Sequence, residues 1–240
     1  MTTKDSLWYS QLKRSYSQKR GDVTSWPCGK YGTIYIDPPW PFVDRSGVST
    51  RGAANYYPCL SIEQIKSLHV GGLAEDNCLL WMWIPRLFRR WGEEVIEAWG
   101  FTPKTEWVWV KTTLDGAKIR AGMGHYNRMA HEYLMLGTLG TARPLNGKNE
   151  PSVICTPRAR HSRKPDVFYE LIERNSPKPW IELFARGTRQ NWSAWGDEAL
   201  QGFSPEREPA DGFDKLRTKL GKRIGIEDKM LKKAVYGDRR

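Results

Sequence analysis

The sequence predicts an α/β fold with a mainly parallel sheet and helices on both faces. Three observations carry that prediction. Short apolar, strand-like runs alternate with segments of helical periodicity along most of the chain. The run Thr33-Ile34-Tyr35-Ile36 has the character of a buried strand and stops at two consecutive prolines, Pro38 and Pro39, which no central strand tolerates. The 240 residues, 39% of them hydrophobic, are enough for one full core and too few for two large ones.

Residues 1–25 are polar, rich in Ser, Lys and Arg, and read as an N-terminal arm ahead of a folded domain over 26–198. After the first strand, residues 44–57 carry Gly, Ser and Arg and read as a surface loop. Ser61 is a helix N-cap by type, with Ile62, Ile65 and Leu68 at helical spacing behind it. Cys78–Ile84 reads as a strand. A helix is expected from Pro85 to Trp99, with Leu87, Trp91, Val95 and Ile96 on one face and Gly100 as its stop. Thr105–Lys111 alternates as a strand, residues 112–130 read as a second long loop, and His131–Leu139 and Val153–Thr156 are further strands. Lys164-Pro165-Asp166 opens a helix, since Pro fits the first turn and Asp suits the dipole there. Trp180–Ala185 is the last strand expected. Residues 199–240 form a basic tail in which Phe213, Leu216 and Leu220, then Ile226, Met230 and Leu231, have the spacing of two short amphipathic helices.

Composition narrows the function. The formal net charge is +11, with 38 Lys and Arg against 27 Asp and Glu, which points to an anionic partner, nucleic acid above all. Twelve tryptophans exceed ordinary usage; most belong in a core, and one or two are candidates for stacking on bases. No apolar run reaches bilayer length, and the N-terminus lacks a signal-peptide core, so a cytoplasmic protein with no membrane partner is expected. The four cysteines form no C-x-x-C pair, and His125, His131 and His161 do not combine with them at zinc-ligand spacing, so no metal is expected.

The sharpest motif is Asp37-Pro38-Pro39-Trp40 at the carboxyl end of a strand, where ligands bind in sheets of this kind. An exocyclic base amine is a poor nucleophile because its lone pair is delocalised into the ring. A site that alkylates it must accept hydrogen bonds from its N–H groups and favour a tetrahedral nitrogen. Asp37 offers a carboxylate. Pro38, with φ fixed, is expected to aim a free carbonyl, and Trp40 to offer a stacking face for an extruded base. Whether Asp37 also takes the proton stays open at this level. The ends Ile36–Asp37 and Phe184–Arg186 are expected to open into one crevice.

Residues 31–198 resemble the MT-A70 family of adenine-amino methyltransferases. The likeness runs through YIDPPWPF (35–42), YPCLSIEQI (57–65), LLWMWI (79–84), WVWVKTT (107–113), GHYNRMAHEYLMLGTLG (124–140), HSRKPDVFYELIERNSP (161–177) and IELFARGTRQNWSAWGDE (181–198). It implies a Rossmann-like methyltransferase fold in permuted order, with the catalytic tetrapeptide ahead of the cofactor half. It implies S-adenosylmethionine as cofactor, with Lys164 at its carboxylate end. Asp37, Phe184, Arg186, Thr188, Asn191, Asp197 and Glu198 are the other implied cofactor contacts. Asp197 stands where the family more often has asparagine; it still accepts hydrogen bonds, so binding is expected to survive. For nucleic acid it implies Tyr57 and Glu132 around the target base. Lys111, Arg120, Arg128, Arg158 and Arg163 border the expected crevice and are candidate phosphate contacts.

The activity expected from this resemblance is methylation of the adenine 6-amino group in nucleic acid, DNA favoured over RNA. By analogy with compact phage and bacterial members it would act in restriction-modification, in a bacterial or phage-infected host cytoplasm. A homodimer or heterodimer is open. The alternatives are a non-catalytic nucleic-acid-binding partner of the same fold, an RNA adenine methyltransferase, and a related enzyme acting on cytosine or on glutamine amides.

Overall fold

A computed structural model describes residues 26–41, 59–122, 126–146, 150–158 and 164–196. The expected N-terminal arm (1–25) and basic tail (199–240) lie outside them. Seven strands form one sheet: β1 (Tyr31–Ile36), β2 (Ala74–Pro85), β3 (Thr102–Thr112), β4 (His131–Leu139), β5 (Val153–Pro157), β6 (Trp180–Leu183) and β7 (Trp192–Trp195). Their spatial order is β5-β3-β4-β2-β1-β6-β7. Only β4 runs against its neighbours β2 and β3; the other four pairings are parallel. The sheet is thus mainly parallel, as a Rossmann-like methyltransferase fold requires.

The helices are α1 (Ile62–Lys66), α2 (Arg89–Ala98) and α3 (Asp166–Asn175). Ser61 caps α1 as expected: its hydroxyl accepts from the Gln64 amide, and the Gln64 side chain accepts from the Ser61 amide. Period-two alternation sorts the strand residues between two cores. Ile34, Ile36, Leu80, Met82, Ile84, Ile181 and Leu183 face Ile65 of α1 and Val95 and Ile96 of α2. Tyr35, Leu79, Trp81, Trp83, Trp107 and Trp109 face Phe168, Leu171 and Ile172 of α3. Helices therefore cover both faces, and the second core absorbs many of the tryptophans. Burying each of these α3 side chains stabilises by about 1.5–3 kcal/mol.

Several element boundaries differ from expectation; β2 begins at Ala74 and β3 at Thr102, ahead of the expected Cys78 and Thr105. The segment expected as one helix from Pro85 begins with a 3₁₀ turn, Arg86–Phe88, and the tighter winding turns Leu87 outward (53% exposed) while Phe88 goes in. Gly100 ends the helical region with φ +86°, as its type allows. The last expected strand stops at Leu183, because Phe184 takes φ +59° and breaks the extended run. Beyond it, the unexpected short strand β7 completes the sheet.

After β1 the chain builds β2, β4, β3 and β5 on one side and returns to add β6 and β7 on the other. The carboxyl end of β1 sits at this reversal, where open α/β sheets form their crevice.

Candidate active site

Asp37 is the first residue past β1. Its tetrapeptide turns at once: the Trp40 amide donates to the Pro38 carbonyl at 2.8 Å, and the Leu60 amide donates to the Pro39 carbonyl at 2.8 Å. The Pro38 carbonyl is therefore not free, as the sequence reading had it; one lone pair closes the turn, and a carbonyl oxygen has two. Trp40 also corrects the expectation. It is 2% exposed, stacked on Phe88 at 5.5 Å, and its Nε1 donates to the Trp83 carbonyl at 3.0 Å. Its ring anchors the turn to β2 and leaves no face for a base, because the apolar layer under α2 claims it.

Parallel register pairs Ile36 with Leu183, so Asp37 and Phe184 leave the sheet side by side. The two strand ends thus lie beside each other at the same end of the sheet. Phe184 holds φ +59°, a conformation costing an aromatic residue about 1–3 kcal/mol. Its ring meets Trp195 edge-on at 5.3 Å, and the Ala185 amide donates to the Trp195 carbonyl at 2.9 Å. A Cβ at Gly196 would lie 2.3 Å from the Ala185 carbonyl oxygen, so only glycine lets β7 end against this bend. Arg186 follows, half-buried.

Lys164 enters from the start of α3. Its side chain is only 13% exposed, with Nζ 3.3 Å from Asp37 Oδ2 and 2.7 Å from Glu132 Oε2. Its ammonium also stands 4.6 Å from the Trp83 ring centroid. Burial lowers the Lys164 pKa, but the Asp37 and Glu132 charges outweigh it and the net shift is upward. Glu132, near the start of β4, lies opposite Pro85 of β2 and Trp109 of β3. Its second oxygen binds the Lys111 ammonium, so one carboxylate bridges two cations. Burial would raise its pKa; Lys164 and Lys111 together bring it down to about 2. Lys111 shifts downward, since burial and the charges of Lys164 and Arg158 outweigh its partner. The contact nonetheless stands on its geometry, and the depressed Glu132 carboxyl agrees with it.

Lys111 was expected on phosphate; the structure places its ammonium on Glu132 instead, because β3 and β4 pair there and bring the two side chains together. Arg158 is exposed past the end of β5, close enough to act on Lys111. Arg120 is exposed beside β3, its amide donating to the Lys111 carbonyl at 2.7 Å. Arg128 donates from Nε to the Gly122 carbonyl and from a terminal nitrogen to the Ala121 carbonyl, so part of its guanidinium braces the loop. Thr188 is exposed in the β6–β7 connection. Asn191 is misplaced as a cofactor contact: parallel pairing of Trp180 with Trp192 puts it at the amino ends of β6 and β7, the opposite end of the sheet from Asp37. Tyr57, Arg163, Asp197 and Glu198 lie outside the described residues. Among the described residues, no three His, Cys, Asp or Glu side chains converge as a metal site.

The arrangement thus holds two carboxylates and two ammonium groups, on an aromatic floor, at the reversal point of the sheet. Sequence reasoning missed the Lys111–Glu132 pair and the Trp83 floor, whose only signal is cross-strand register.

The family model described as MT-A70 matches residues 31–198. Over 174 residues the chain is 30% identical to a Medicago truncatula protein named putative N(6)-adenosine-methyltransferase MT-A70-like, covering 71% of this chain and 26% of that one. Over 189 residues it is 30% identical to the N(6)-adenine-specific methyltransferase METTL4 of Mus musculus, covering 72% and 39%. With the human N(6)-adenosine-methyltransferase catalytic subunit METTL3 it shares 29% identity over 174 residues, covering 71% and 28%. The chain therefore spans between 26% and 39% of the length of these curated relatives.

Proposed function

The chain belongs to the MT-A70 family, and from that premise we propose that it methylates the 6-amino group of adenine in nucleic acid, DNA in preference to RNA, using S-adenosylmethionine. The observation that carries this reading is the Asp37 carboxylate at the strand reversal, 3.3 Å from the shielded Lys164 ammonium. Relatives named for N(6)-adenine and N(6)-adenosine methylation support the choice of base. The net charge of +11 supports a polyanionic substrate.

The residues present fit the cofactor. Lys164 offers a buried cation beside the opening turn of α3, suited to a carboxylate, and Phe184 and Arg186 border the same corner. Bound there, S-adenosylmethionine supplies a methyl group on a positively charged sulfur, which makes that carbon electrophilic. The chain's own task is to prepare the amine. Asp37 accepts one amine N–H and favours a tetrahedral nitrogen; the second lone pair of the Pro38 carbonyl is the nearby acceptor for the other. Lys164 orients the Asp37 carboxylate through their 3.3 Å contact. Trp83 and Trp109 form an apolar floor that limits water around these charges.

Labelled S-adenosylmethionine incubated with adenine-containing DNA and RNA oligonucleotides tests the reading. Label should enter DNA faster than RNA, digestion should release N6-methyladenine, and Asp37→Ala should slow transfer by about a hundredfold or more. Methyl found on cytosine, or undiminished transfer by Asp37→Ala, would sink it. Faster labelling of RNA would correct the substrate alone.

A further inference from the structure

We infer that Lys111 is a positioning residue for the cofactor's carboxylate, acting through Glu132 by neutralising it. The inference rests on the reading of Lys164 as the group that meets that carboxylate. Lys164 already touches two carboxylates, Asp37 at 3.3 Å and Glu132 at 2.7 Å. These three side chains alone sum to one negative charge in a corner where they are at most 26% exposed. An incoming carboxylate would be repelled there, because one ammonium would face three anions with little water to screen them.

Lys111 removes that surplus. It occupies the other oxygen of Glu132, with a side chain 17% exposed, and brings the four groups to neutrality. Its place is fixed from several directions. Its amide donates to the Ala130 carbonyl at 2.8 Å, its carbonyl accepts from Arg120, and its ammonium stands 5.0 Å from the Trp109 ring centroid. The Trp109 and Trp83 rings meet edge-on at 5.8 Å, so the two lysines stand over adjoining parts of one aromatic floor with the carboxylate between them. Glu132 is thereby held as a bracket that aims Lys164 while leaving its charge available to a third anion.

The test compares two adenosine thioethers by calorimetry on the full chain: S-adenosylhomocysteine, which has the amino-acid end, and 5′-methylthioadenosine, which lacks it. Lys111→Met should weaken S-adenosylhomocysteine by about tenfold, the scale of one partly screened charge, and leave 5′-methylthioadenosine unchanged. Lys111→Arg should stay close to wild type. The double variant Lys111→Met/Glu132→Gln restores neutrality and should recover most of the lost affinity. A structural role for Lys111 would weaken both ligands alike and gain nothing from the second substitution; either result overturns the inference. If Met at 111 unfolds the chain, Lys111→Gln carries the same comparison. Wild-type chain that binds neither ligand sinks the cofactor reading itself, whereas binding of both without discrimination by Lys111→Met sinks only this inference.

Discussion

Glu132 offers the most quantitative perturbation. In the folded chain burial pushes its carboxyl up, and the ammonium groups of Lys164 and Lys111 overcome this and hold it near 2 instead of 4.5. Unfolding releases the carboxyl to its ordinary value, so the unfolded chain binds this proton more tightly. At ~1.4 kcal/mol per tenfold, the difference contributes about 3 kcal/mol of stability. That contribution is fully present above pH 4.5 and is lost as the pH falls toward 2. Between pH 7 and pH 3 linkage removes about 2 kcal/mol of it. Urea unfolding of the wild type and Glu132→Gln across that range measures the term, because every other carboxylate is common to both. The wild type should lose about 2 kcal/mol more than the variant on acidification. Parallel stability curves would refute the account, and with it the claim that two cations converge on this side chain.

Two further substitutions probe the frame of the site. Trp40→Phe keeps the stack on Phe88 but deletes the donor to the Trp83 carbonyl, and chemical denaturation should register a loss of about 1–3 kcal/mol. Gly196→Ala drives a methyl against the Ala185 backbone; thermal unfolding should show a clear fall in Tm, about 1–3 kcal/mol in free energy, and an unchanged midpoint would mean the bend at Phe184 yields freely.

What was legible in the sequence was whatever local periodicity and backbone chemistry dictate. The Thr33–Ile36 run, the double proline, the Ser61 cap, His131–Leu139 and the Pro165-Asp166 helix start all announce themselves within a few residues. The positions of Asp37 and Lys164 follow from them, because strand ends and helix starts fix where those side chains emerge. What stayed hidden depends on partners far away in the chain. The identity of Trp40 says aromatic but not which side of the turn it packs on; Phe88 and the Trp83 carbonyl decide that. Asn191 sits in a matching stretch, yet a four-residue strand carries it to the far end of the sheet. Lys111 reads as one more surface cation until β3 and β4 are laid together. Phe184, a bulky residue at positive φ, defies local preference, and the close approach of Gly196 is what holds it there.

The reversed direction of β4 has a consequence for how this end of the sheet can diversify. A strand running with its neighbours would need a long crossover to come back, and its beginning would lie far from Asp37. Because β4 runs the other way, the chain leaves the rim at Thr112 and returns to it at His131, and Glu132 arrives beside Lys164 as the strand sets out. The two feet of that excursion, Thr112 and His131, stand in the sheet beside Lys111 and Glu132. The length and chemistry between those feet can change while the ion pairs of Lys111, Glu132, Lys164 and Asp37 stay where they are.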